Sequence, residues 1–229
     1  MNKTLTSLLF ATALLPMSAF AGDAIGVYVA PKLGYGSVHS SFKYGGFWDD
    51  KIGSQTEGTA VLGVAVGYDF KRKLSVPVRV ELESASMGDT SKKHYVRSLN
   101  EDNKTTLGVS TLFVNTYFDF HNPSAFTPYV SLGLGNSYLS AKARAVEREF
   151  GGYNASFCRK TTSNFAWNVG VGAAWNISDR IALDLGYRYA NLGKAKTKYA
   201  RESGHSYPWY IKAKDVETHQ FLLGTRFTF

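Results

Sequence analysis

Seven charged residues fall where they could act on one another: Lys32, Arg79, Glu81, Glu83, Asp184, Arg188 and Arg226. Each lies in a run of alternating residues, on the face otherwise built from Gly, Ala, Ser and Asn. Charges collected on one shielded face must pair, because an unpaired buried charge is costly. The chemistry expected of them is an internal salt-bridge network that holds a structure together.

Catalysis would need a nucleophile and a base on one face. The histidines are His39, His94, His121, His205 and His219. His39-Ser40 and His205-Ser206 are adjacent pairs, and neighbours along a strand point to opposite faces. Asp49-Asp50 reads as a solvated charge pair, and Cys158 has no second cysteine with which to form a metal or disulfide site. Gly133-Leu-Gly135 and Gly170-Val-Gly172 are strand glycines with no helix after them to make a phosphate turn. The expectation is that the chain is not an enzyme, and no cofactor or metal is assigned to it.

The elements that must position the seven charges are strands. From residue 25 the chain breaks into alternating runs near 25–36, 58–70, 76–87, 106–120, 126–140, 163–176, 180–192 and 215–229. Each approaches or exceeds the roughly 9–11 residues that a tilted strand needs to cross a bilayer. In the second run Leu62, Val64, Val66, Tyr68 and Phe70 oppose Gly63, Ala65, Gly67 and Asp69. In the last, Phe221, Leu223, Phe227 and Phe229 oppose Gln220, Gly224, Arg226 and Thr228. A soluble sandwich would fill its second face with Lys, Glu and Thr. A small-residue face instead suits the inside of a narrow barrel, and a Lys or Arg turned to lipid at mid-depth would cost roughly 2–4 kcal/mol.

Connections alternate in length. Those at 71–75, 121–125 and 177–179 are short, whereas those at 37–57, 88–105, 141–162 and 193–214 are long. That asymmetry belongs to an eight-stranded antiparallel up-and-down transmembrane β-barrel, all-β, with both termini in the periplasm and four long extracellular loops. Phe70, Phe118, Phe120, Trp175, Phe227 and Phe229 gather toward the short-turn side as an interfacial belt. Lys3, the apolar stretch Leu5 to Leu15 and Ala19-Phe20-Ala21 read as a cleaved signal peptide over 1–21, leaving one barrel domain over 22–229.

The net charge of +8 invites a nucleic-acid reading, but its distribution argues against one. Strands and short turns carry nearly equal numbers of cations and anions. The excess sits in the third long loop, with Lys142, Arg144, Arg148, Arg159 and Lys160, and in the fourth, with Lys194, Lys196, Lys198, Arg201, Lys212 and Lys214. These loops would attract polyanions, either lipopolysaccharide phosphates of the same membrane or sulfated glycans of a host. Outer-membrane lipid surrounds such a barrel, which is expected to be a monomer. An eight-stranded interior is just wide enough for its own side chains, so a solute path is disfavoured.

Leu185-Gly-Tyr-Arg-Tyr-Ala-Asn-Leu-Gly-Lys-Ala-Lys-Thr197 resembles the seventh strand of the opacity-type family of outer-membrane proteins, often called opacity-family porins. Leu223-Gly-Thr-Arg-Phe-Thr-Phe229 is similar to that family's final strand, whose terminal aromatic, here Phe229, the barrel assembly machinery reads. The resemblance implies an adhesin whose surface loops bind host receptors or sulfated glycans. The family's last loop is short, whereas residues 193–214 are long and basic, so receptor identity does not carry over. A structural or small-solute barrel is the alternative, followed by an outer-membrane enzyme.

Overall fold

The computed structural model describes residues 26–45, 51–96, 101–147, 154–198, 200–202, 205–207 and 210–229. The signal segment expected at 1–21 and Arg148 lie outside the described residues. In chain order the elements are β1 Val27–Gly45, β2 Lys51–Asp69, α1 Lys71–Leu74, β3 Val78–Val96, β4 Glu101–Asp119, β5 Phe126–Glu147, β6 Asn154–Asn176, β7 Ile181–Lys196, β8 Ala200–Glu202, β9 His205–Tyr207 and β10 Tyr210–Thr228. Each long strand pairs antiparallel with the next, and β10 returns to β1 to close a ring of eight. The small β8–β9 hairpin pairs with β6 through Ser156↔Arg201 and Phe157↔Ala200.

Short turns close one end. The first is α1, ended by Ser75 in the left-handed conformation with φ 56°. The second is held by Asn122, whose Oδ1 accepts from the Ser124 amide at 2.8 Å and whose Nδ2 donates to Phe126 O at 3.0 Å.

At the other end the long connections expected at 37–57, 88–105, 141–162 and 193–214 are for the most part strand. The alternation does not stop there but changes sense. Along β1, Leu33 and Tyr35 point outward and are exposed, while Lys32 and Gly34 point inward. Four residues on, Val38, Phe42 and Tyr44 are the buried inward residues and Ser37, His39 and Lys43 face out. β5 repeats this, with Leu132 and Leu134 outward, then Leu139, Ala141 and Ala143 inward. An apolar outer face suits hydrocarbon and an apolar inner face suits water outside, so the reversal marks where the strands leave the bilayer.

Beyond that point the ring divides. The β2–β3 ladder runs from Asp69↔Arg79 to Val61↔Met87, and β6–β7 runs from Asn176↔Ala182 to Trp167↔Asn191. Past these rungs the sheet β7–β10–β1–β2 faces the sheet β3–β4–β5–β6 as two layers. Between them lies a core with Val38, Phe42, Ile52 and Ile211 from one layer and Leu107, Leu139 and Phe157 from the other. Hydrogen bonds cross it: Tyr44 Oη donates to Asn103 Oδ1 at 3.2 Å, and Thr105 Oγ1 to Gln55 Oε1 at 3.2 Å.

Candidate functional site

Apart from the short turns, charge is gathered in two regions: the lumen within the apolar band, and the outer faces of the strand extensions. In the lumen the inward phase of β1, β3, β7 and β10 delivers the seven expected residues, all mostly buried. Lys32 Nζ lies 2.5 Å from Glu81 Oε2 and 2.7 Å from Glu83 Oε2. Arg188 Nη1 donates to Glu83 Oε1 at 2.6 Å, joining these four residues in one cluster. Arg226 and Asp184 form a separate ion pair at 2.7 Å. Arg79 pairs with none of the other six. Its Nε and Nη2 grip both oxygens of Asp119 at 2.7 and 2.9 Å.

Sequence reasoning left Asp119 out of the network. Its signal was present in register: Arg79 stands opposite Tyr117, two residues from Asp119, within diagonal reach on the same face. It also missed the tyrosines. Tyr28 Oη donates to Glu81 Oε1 at 3.0 Å, Tyr117 Oη donates to Glu81 Oε2 at 2.9 Å, and the Arg79 guanidinium lies 4.6 Å from the Tyr117 ring centre. Four cations thus face four carboxylates, and the hydroxyls of Tyr28 and Tyr117 both donate to Glu81. The small face makes room for them. A Cβ on Gly67 would collide with the Tyr28 ring, and one on Gly133 with the side chains of Asn115 and Asn168. The cavity left among Lys32, Glu81, Tyr129, Asn168 and Arg188 is about 30 Å³, space on the scale of water molecules.

Outside, two aromatic belts bracket the apolar band. At the short-turn end Tyr68 packs on Phe70, Phe118 on Phe120, and Phe126 stacks on Trp175. At the far end are Tyr35, Phe165, Tyr187, Phe221 and the Trp167–Tyr189 pair. Trp175 and Phe165 are ten residues apart on one strand, which at a tilt near 40° gives about 25 Å, the height of a barrel's lipid-facing band. Phe229 ends the short-turn side, its amide donating to Val27 O at 2.9 Å and so tying β10 to β1.

The basic residues lie past the far belt. Lys142, Arg144, Lys194, Lys196 and Lys198 are exposed, while Lys160, Lys212 and Lys214 are partly covered. Arg159 is engaged with Asp89 at 2.6 Å. Arg201 lies in β8, and its side chain is outside the described residues. Three of the histidines have described side chains. His121 lines the short-turn mouth beside Asp119, and His219 Nδ1 meets Tyr187 Oη at 2.6 Å. His39 Nδ1 meets Thr56 Oγ1 at 2.8 Å, a contact between neighbouring strands that adjacency in sequence could not reveal.

Comparison with known proteins gives this geometry its relatives. The family described as outer membrane protein beta-barrel domain matches residues 7–229. Outer membrane protein PagN of Salmonella typhimurium (strain LT2) is 30% identical over 237 residues, covering 96% of this chain and 98% of PagN. Outer membrane protein P.IIC of Neisseria gonorrhoeae is 25% identical, covering 72% of this chain and 70% of P.IIC. Among solved structures, the outer membrane protein OprG of Pseudomonas aeruginosa superposes with a TM-score of 0.53 at 17% identity, over 90% of this chain and 98% of OprG, a likeness of fold. A match across nearly the whole chain, on a closed eight-stranded ring with a lipid-facing apolar band, makes this chain a member of the outer membrane protein β-barrel family, of the opacity type, resident in the outer membrane.

Proposed function

We propose that the protein is an adhesin: a barrel that carries its long-hairpin end outside the cell and uses the basic outer faces there to bind host receptors bearing polyanionic glycans. The observation that carries this reading is the division of charge. Lumen charges are paired and enclosed, whereas the excess cations stand on solvent-facing strand surfaces beyond the apolar band. Such a surface attracts anionic partners and raises their encounter rate at low ionic strength. Membership of the opacity-type family supports the same role, with no enzymatic activity.

In this reading residues 1–21 are removed on export, Phe229 serves as the assembly signal, and the barrel works as a monomer. Lipopolysaccharide surrounds the band as solvent. The test is adhesion of bacteria expressing the protein to host cells with and without surface sulfated glycans. Adhesion should rise with expression and drop on glycan-deficient cells or in high salt. Equal adhesion by expressing and non-expressing bacteria would sink the proposal. Mass spectrometry of the folded protein should place the mature amino-terminus at Gly22.

A further inference from the structure

Where the ring divides above the band, the two sheets are left with edges at two seams, and the chain treats the seams differently. At the β6–β7 seam it fills the gap itself. Ser137 Oγ donates to Leu192 O at 2.5 Å, Asn164 Nδ2 to Lys194 O at 2.9 Å and the Lys198 amide to Cys158 O at 3.1 Å, after which β8 pairs with β6. At the β2–β3 seam no strand among the described residues does this. Past the Val61↔Met87 rung, residues 53–60 of β2 pair only with β1, and residues 90–94 of β3 pair only with β4. Their other sides are two open edges, each a ready template for a further strand. Both lie on the same side of the two-layer region, about 10 Å apart across it, and point sideways.

The two edges match each other. Between Met87 and Thr90, β3 carries one extra residue. With that residue counted, the β2–β3 register carried onward sets Thr59 against Thr90, Glu57 against Lys92 and Thr56 against Lys93. Gln55 and Thr90 are buried, so Glu57, Thr59 and Lys92 share the inward phase, while Thr56 and Lys93 face out. Within one chain the sheets part too far for a ladder, and side chains span the gap. Thr59 Oγ1 donates to Gly88 O at 3.1 Å, and Lys92 Nζ lies 3.4 Å from Glu57 Oε1, both side chains of this ion pair being partly exposed. Such a pair holds the gap weakly. Charges at an edge keep foreign strands off, and a Glu matched to a Lys favours the complementary edge.

A second copy in the same membrane supplies what each edge lacks. About a two-fold axis along the membrane normal, β2 of one copy meets β3 of the other antiparallel, β3 meets β2, and the inner faces of the joined sheets stay inner. One isologous contact satisfies both edges of both copies. The band beneath leaves room for the approach. Just below the seam the outward phase of β3 carries Ser84 and Ser86 in place of bulky apolar residues, with Ser86 Oγ 3.3 Å from Ser110 Oγ. Small side chains let segments in a bilayer come close, and hydroxyls are poorly served by lipid. We infer that the open β2–β3 seam is a contact surface for a second copy of this chain, joined edge to edge beyond the band. A single closed barrel is the working unit of adhesion proposed above; pairing at membrane density presents two such units to one surface and raises avidity. The inference stands independently of the adhesin reading.

Cysteine cross-linking in outer membranes tests it, with full-length chains in a Cys158→Ser background. In one chain Thr56 and Lys93 face outward from opposite sheets and cannot be bridged. Across the pair they become direct cross-strand neighbours, with Cβ atoms about 5 Å apart. Chains carrying Thr56→Cys and chains carrying Lys93→Cys, expressed together, should give a reducible dimer on mild oxidation, and either chain alone should give none. Adding Glu57→Lys to both chains should lower the yield about threefold or more, because two like-charged pairs then oppose per dimer. Adding Lys92→Glu as well should restore it. No product from the mixture, equal product from each chain alone, or a yield that Glu57→Lys leaves unchanged would overturn the proposal. Cross-linking of the Thr56→Cys chain to a host protein, with no copy-to-copy product, would assign the edge to a foreign strand and overturn it too. Cross-linking reads no glycan, so this inference and the adhesin reading can each fail alone.

Discussion

At the scale of single residues, the lumen shows what alternation can and cannot reveal. That Lys32, Glu81 and Arg188 point inward follows from their phase with Gly and Ala, since lipid would exclude them. Their pairing does not follow, because partners lie on other strands at a height set by register. Arg79, expected in the lumen network, is ion-paired there through Asp119, a carboxylate from outside the expected set. This pair allows a sharp prediction. Arg79→Met leaves Asp119 charged and buried, and should cost about 3–5 kcal/mol. The double change Arg79→Met with Asp119→Leu removes both charges and should cost less than that single change. Urea unfolding of the barrel in detergent micelles measures both. A double variant as unstable as the sum of its singles would mean that the two side chains are uncoupled and that no stranded charge accounts for the cost of the single change.

At the scale of strands, the transmembrane parts were legible and their continuations were not. A strand search that follows an apolar outer face loses the signal at Tyr35, because beyond it the apolar residues change sides. The bulges hide it further: read without Asp215 and Gly193, the lysines of β10 and β7 take the wrong phase. A sequence signal existed in the sequence Val38, Phe42, Tyr44, whose even numbering continues the inward set Tyr28, Ala30, Lys32. The bulge at Gly193 can be tested directly. At φ 83° a β-branched residue is disfavoured, and a Cβ there would sit 2.9 Å from the Asn164 Cβ. Gly193→Val should lower stability by about 2 kcal/mol or more, and Gly193→Asn by less, since Asn tolerates the left-handed region better. Thermal midpoints of the two variants decide it. If Val and Asn cost the same, side-chain crowding and not backbone conformation governs the site.

At the scale of the whole molecule, two different plugs lie in series along the barrel axis. Within the apolar band the paired charges and their tyrosines fill the lumen, leaving room on the scale of water. Beyond the band, Phe42, Leu107, Leu139 and Ile211 make a largely apolar core between the two sheets. An ion would have to enter that core without its hydration and then break fixed ion pairs below it, and each step costs several kcal/mol. The purified protein should therefore show no steady single-channel conductance in planar bilayers at neutral pH. Phe42→Ala should cost about 3–5 kcal/mol as a buried aromatic truncation while leaving the membrane nonconducting, because the charged layer below still closes the path. Regular conductance steps from wild-type protein would mean that both plugs open together, and the barrel would then be a channel as well as a mount.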